Sequence, residues 1–96
     1  MDRIRRRARS KNIEFDLDFE WFRERIDRGV CEVTSLIFVD SEKPMAPFKP
    51  SVDRTDPNGG YTKDNCKMVI WMYNSCKGGN SHKDVMTMAR ALCTQS

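Results

Sequence analysis

Apolar residues are unevenly spaced along this 96-residue chain, and the spacing alternates between helical and extended periods. Ile4 and Ala8, four apart, predict a short N-terminal helix within residues 1–11 that docks by a narrow apolar stripe. Ile13-Glu14-Phe15-Asp16-Leu17 alternates apolar and acidic and reads as a brief extended segment leading to Asp18. Asp18 is a suitable N-cap for a helix in which Phe19, Phe22 and Ile26 recur on one face and Gly29 supplies the stop. Trp21 lies beside that stripe and is expected to close the core. Val30–Thr34 and Leu36–Val39 predict a small hairpin bending at Thr34-Ser35. Asp40 to Lys49, with Pro44 and Pro47 and no periodicity, reads as a loop that Met45 and Phe48 pin to the body.

Residues 50–79 form the densest stretch. Pro50 to Arg54 is a short extended run, and Asp56-Pro57-Asn58-Gly59-Gly60 holds the residue types that reverse a chain. Cys66 to Ile70 is apolar enough for a second strand, and Trp71 to Lys77 reads as a helix ended by Gly78-Gly79. The unit is strand, strand, helix. Asn80-Ser81 then caps a last helix, His82 to Leu92, with Val85, Met88, Ala89 and Leu92 on one face expected to pack beside the preceding helix. Met68, Met72, Met86 and Met88 read as adaptable core filler. The fold class expected is a single small α+β domain spanning residues 1–96.

Charge is segregated. Residues 1–11 hold five arginines and one lysine against one aspartate, so they carry +5 while the remainder of the +3 chain carries −2. An arginine-rich block of this kind suits phosphate, and Arg3, Arg5, Arg6, Arg7, Arg9 and Lys11 are candidate DNA contacts. No apolar run approaches the roughly 18 residues of a membrane span, and no signal-peptide pattern is present, so a cytoplasmic, membrane-free protein is expected. Cys31, Cys66, Cys76 and Cys93 are then expected as reduced thiols; their spacings of 35, 10 and 17 contain no CxxC pair, and structural zinc is not expected.

Three polar positions within the central unit resemble the HNH, or ββα-metal, nuclease motif of phage and homing endonucleases, written D-(H)-x-x-P, x-D-N and x-x-x-N-x-x-K. Asp53-Arg54 stands where the family has Asp-His, Asn65 where it has its middle Asn, and Asn74 where it has its last ligand. Arg54 is 11 positions before Asn65 and 20 before Asn74. The segment SVDRTDPNGGYTKDN is similar to one in small phage-encoded HNH-like proteins, and Cys31-Glu32-Val33-Thr34 resembles the turn that often precedes the motif. The resemblance covers residues 31–79 and implies a ββα-metal core with flanking helices.

It also implies metal-dependent cleavage or nicking of DNA. Asp53 and Asn74 would hold one Mg²⁺ or Mn²⁺, Asn65 would fasten the loop, and Arg54 and Lys77 would meet DNA. Hard oxygen donors of this kind suit Mg²⁺, and a site with two of them leaves positions for water and phosphate. One departure from the pattern matters. The family's general base is the His after the metal-binding Asp, and Arg54 in its place stays protonated and accepts no proton. Asp56, Tyr61, Lys77 and His82 are the titratable alternatives.

Two other functional classes fit the same residues. A module that binds DNA without cutting would show steep salt dependence and no cleavage at any metal concentration. A phage protein that occupies a host enzyme would show a stable protein partner and no affinity for DNA.

Overall fold

The computed structural model describes residues 2–95, in the order α1 (Asp2–Ser10), α2 (Phe19–Arg28), β1 (Pro50–Arg54), β2 (Cys66–Ile70), α3 (Trp71–Lys77) and α4 (His82–Gln95). Among the described residues, four helices and one two-stranded antiparallel sheet make a small α+β fold. Among the described residues no helix is long and apolar enough to cross a membrane.

β2 is the centre of the packing because both of its faces are covered. Cys66 and Met68 point to a cluster with Ala8 of α1, Leu17, Trp21 of α2 and Tyr61. Val69 and Ile70 join a second cluster with Cys31 and Tyr73 of α3, to which Val85 of α4 is added. The outer edge of β2 is closed by Glu32. Its backbone N–H donates to Met68 O at 3.0 Å, and its carboxylate accepts from Met68 N–H at 2.5 Å. Met68 thus turns both backbone groups away from β1, and Val52, its partner across the sheet, has a carbonyl free for α3.

α1 lies on the body by the expected stripe, with Ala8 buried and Ile4 packed against the first cluster. It ends where Asn12 takes a φ of 54°, a conformation that Asn tolerates better than most residues. The following extended segment forms a single parallel bridge between Phe15 and Tyr61, fixed by Tyr61 N–H to Glu14 O at 2.8 Å and Asp16 N–H to Tyr61 O at 3.0 Å. Gly60 sits so close to this strand-like segment that a Cβ there would lie 2.8 Å from Glu14 O.

α2 has both of its expected ends. The Asp18 side chain accepts from Trp21 N–H at 2.8 Å, and Gly29 closes the helix in the left-handed region at φ 74°. Its inward face, however, is not the Phe19, Phe22, Ile26 stripe. Trp21 is buried and Phe22 half-buried, whereas Phe19 is 67% exposed and Ile26 is also exposed. The Asp18 cap and Trp21 fix the rotation, and Arg25, one turn on, covers the indole face at 4.3 Å and reaches Glu32 at 3.2 Å.

Three further expectations change. Residues 30–39 turn back as expected but only minimally, with one antiparallel bridge from Val30 to Ile37 and Cys31 N–H donating to Leu36 O at 2.8 Å, because Glu32 turns towards β2 and Ser35 takes a φ of 63°. The loop before β1 is held by its backbone and not by Met45 or Phe48, both exposed: Lys49 O and Pro47 O accept from Trp71 N–H and Met72 N–H, satisfying donors at the start of α3. α4 runs to Gln95, capped reciprocally by Ser81 and Asp84, but it buries no residue completely and leaves Met88 exposed. Of the four methionines expected as core filler, only Met68 is buried.

Candidate functional site

The polar residues of the central unit gather where β1 ends and α3 lies beside it. Asp53 and Val52 are consecutive on a strand and so face opposite ways: Val52 packs towards the α1 side, while Asp53 turns to α3. There it meets Lys77. The Lys77 Nζ donates to Asp53 Oδ1 at 2.9 Å, to Arg54 O at 2.6 Å and to Thr55 O at 3.3 Å. Lys77 is 1% exposed and Asp53 4%. The ammonium therefore has three acceptors and no room for a phosphate, which corrects the expectation that Lys77 contacts DNA. The physical reason is its position: Asn74 and Lys77 are three apart on one helical turn, so both face β1.

Asn74 uses both hydrogens of its amide on β1, donating to Ser51 Oγ at 2.8 Å and to Val52 O at 3.0 Å. Its Oδ1 takes part in no hydrogen bond among the described residues, and neither does Asp53 Oδ2. Both side chains line one cleft of about 190 Å³, together with Arg7, Arg54, Pro57 and Tyr61. Asp53 and Asn74 thus both border one small concavity, and each carries an unbonded oxygen of the hard type that Mg²⁺ and Mn²⁺ take as ligands. Among the described residues no group of three His, Cys, Asp or Glu side chains converges.

Asn65 fastens the loop between the strands. Its Oδ1 accepts from Asp56 N–H at 3.0 Å, and its Nδ2 donates to Asp56 O at 3.1 Å and Gly60 O at 2.9 Å. The fit is tight, since a Cβ at Gly59 would lie 2.6 Å from that nitrogen. Arg54 belongs to the same loop. Its guanidinium donates to Gly59 O at 3.0 Å and lies over the Tyr61 ring at 4.8 Å, so part of its donor fork is already engaged.

The titratable alternatives to a histidine are distributed unevenly. Tyr61 alone of the four borders the cleft of Asp53 and Asn74. Asp56 is exposed and accepts from Asn58 N–H at 2.9 Å. His82 borders a second cleft of about 230 Å³, which Asp53 and Lys77 also line together with Glu32, Lys67 and Tyr73. Its Nδ1 is 3.0 Å from Tyr73 Oη, a phenol whose pKa is raised first by burial and then by the Asp53 charge.

The arginines of α1 are sorted by the helix. Arg3 and Arg7 border a wide groove of about 700 Å³ that also contains Lys49, Trp71 and Asn74. Arg5 and Arg9 lie by Phe15 and Leu17 instead, with the Arg5 guanidinium over the Phe15 ring at 5.5 Å. Arg6 and Lys11 are exposed. Sequence reasoning missed the Lys77 partnership and the approach of Arg7 to Asp53 and Asn74. The three-residue spacing of Asn74 and Lys77 signals the first; the second depends on how α1 docks and has no local signal.

Compared with models of protein families, with curated proteins and with solved structures, the chain matches none of them. A functional assignment therefore rests on the residues of the cleft.

Proposed function

We propose that the protein is a metal-dependent DNA endonuclease of the HNH type, with the β1, β2, α3 unit serving as a ββα-metal core. The observation that carries this reading is the shared cleft in which Asp53 and Asn74 each keep one oxygen unused, bordered by two arginines. Asp53 and Asn74 would hold one Mg²⁺ or Mn²⁺, which when bound neutralises phosphate charge and favours attack by water. Arg54 directs its remaining donors to a phosphate oxygen, and Asn65 keeps the loop carrying Arg54 in one shape. Lys77 holds the Asp53 carboxylate in place from behind.

The test is nicking of supercoiled plasmid in Mg²⁺, Mn²⁺ or EDTA by wild type, Asp53→Asn and Asn74→Ala, alongside the thermal shift caused by Mn²⁺ alone. Asparagine is the better replacement for Asp53 because it preserves an acceptor for Lys77. Metal-dependent nicking and a Mn²⁺ shift, both lost in the two variants, support the reading. Nicking that persists in both variants removes it.

A second reading is favoured by the Lys77 ammonium, which already neutralises Asp53 and would weaken any cation there. On that reading the scaffold binds DNA, or a host protein, without cutting. Duplex binding with no nicking and no Mn²⁺ shift supports the DNA form; a stable protein partner with no duplex binding supports the other.

A further inference from the structure

We propose that Arg7 holds the DNA phosphate that lies between Asp53 and Asn74, with Arg3 and Lys49 continuing the same phosphate track along the wide groove; this rests on the nucleic-acid reading given above. The basic N-terminal segment is on this view a wall of the site and not a free arm.

Three observations lead there. First, α1 is anchored, since Ala8 is 1% exposed and Ile4 packs on the core, so the direction of its arginines is set by the helix. Residues 3 and 7 are four apart and therefore project to the same side, about 6 Å apart along the axis. Second, Arg7 alone among the arginines of α1 borders both the groove and the cleft of Asp53 and Asn74. The groove thus opens onto the cleft at Arg7. Third, its guanidinium is uncommitted: among the described residues it makes no ion pair, side-chain hydrogen bond or ring contact. Arg54 on the other side is partly spent on Gly59 and Tyr61.

Charge selects the occupant. Asp53 is neutralised by Lys77, so Arg7 and Arg54 leave the cleft positive, and the groove adds Arg3 and Lys49 against the single carboxylate of Glu42. Cations placed along a groove suit a polyanion whose charges recur along a backbone. The forked guanidinium can take two oxygens of one phosphate, which a lysine in the same place cannot.

The experiment uses the full chain in EDTA, so that binding is read without turnover. Affinity for a short DNA duplex is measured by fluorescence anisotropy across KCl concentrations for wild type, Arg7→Ala, Arg7→Lys and Arg90→Ala, the last removing the same charge from α4. Side-chain NMR of Arg Nε–H and Asn amide groups is followed in the same titration. Arg7→Ala is expected to weaken binding roughly 10-fold and to lower the salt slope by about one, with Arg90→Ala within about 2-fold of wild type. Arg7→Lys recovers the slope, and the Arg7 and Asn74 side-chain signals move together in wild type. Equal losses for Arg7→Ala and Arg90→Ala, an Asn74 signal that stays fixed while Arg7 moves, or no duplex binding at about 50 mM KCl each overturn the assignment. Intact plasmid in the nicking assay, with these binding results in place, defeats the nuclease reading and leaves Arg7 assigned.

Discussion

Lys77 Nζ lies 2.9 Å from Asp53 Oδ1, and the two side chains form a buried ion pair that joins the last turn of α3 to the end of β1. The pair is asymmetric. Lys77 has two backbone carbonyls besides the carboxylate, whereas the Asp53 carboxylate has no other hydrogen-bond partner among the described residues.

Removing either member therefore has unequal consequences. Lys77→Met leaves a buried carboxylate alone and is expected to cost about 3–5 kcal/mol, a large share of what so small a domain has. Asp53→Asn leaves the ammonium with three neutral acceptors and is expected to cost clearly less. Urea denaturation of the two variants checks the order, and equal losses would refute the asymmetry.

The Asn65 amide makes three hydrogen bonds to the backbone of the loop that carries Arg54. At roughly 1 kcal/mol each, Asn65→Ala is expected to lower stability by about 2–3 kcal/mol. Asn65→Asp is not a rescue, since it would turn a carboxylate oxygen towards Asp56 O and Gly60 O, both of them acceptors. Gly59→Ala should act in the same direction by pushing the amide off its partners. Thermal unfolding of the three variants, with Gly79→Ala as a comparison in open space, measures this.

At acidic pH the exposed pair of Asp18 and Lys63 sets a measurable slope. The Lys63 hydrogen bond, followed by the bond from Trp21 N–H, holds the Asp18 carboxyl below its ordinary value of 3.8. A folded-state pKa below the unfolded one means stability that is present above pH 3.8 and is lost as pH falls through the lowered value. Asp18→Asn retains an N-cap side chain but cannot titrate, so its urea midpoint should fall less steeply below that pH. A slope identical to wild type would exclude Asp18 as the source.

The thiols divide by burial. Desolvation pushes the Cys66 thiol up from 9.0 to about 11, whereas Cys76 and Cys93 are exposed. Iodoacetamide at pH 8 is expected to label Cys76 and Cys93 first and to spare Cys66 until the chain unfolds. Because the folded pKa is the higher one, the Cys66 contribution is intact below pH 9 and is lost as pH rises towards 11. Tyr73, also raised by burial, adds loss of the same sign above its ordinary value of 10.0. Mass spectrometry of tryptic peptides after timed labelling reads the first effect, and urea midpoints between pH 8 and 11 read the second.

Local signals determined much of this protein. The Asp18 cap, the Gly29 stop, the turn chemistry of residues 56–60 and the break at Gly78 each act within a few residues, so α2, β1, β2 and α3 were legible from the chain alone. The bonds of Asn65 also stay within one loop. Other features depend on how separate elements meet. Which face of α2 points inward was decided by Trp21, Arg25 and Glu32 together, and the pairing within residues 30–39 stopped at a single bridge because Glu32 had the open edge of β2 to close. The same holds for the cleft. Whether Lys77 faced solvent or Asp53, and which arginine of α1 came beside Asn74, were settled by the docking of helices onto the sheet, because burial and long-range pairing are properties of the assembled surfaces and not of any one segment.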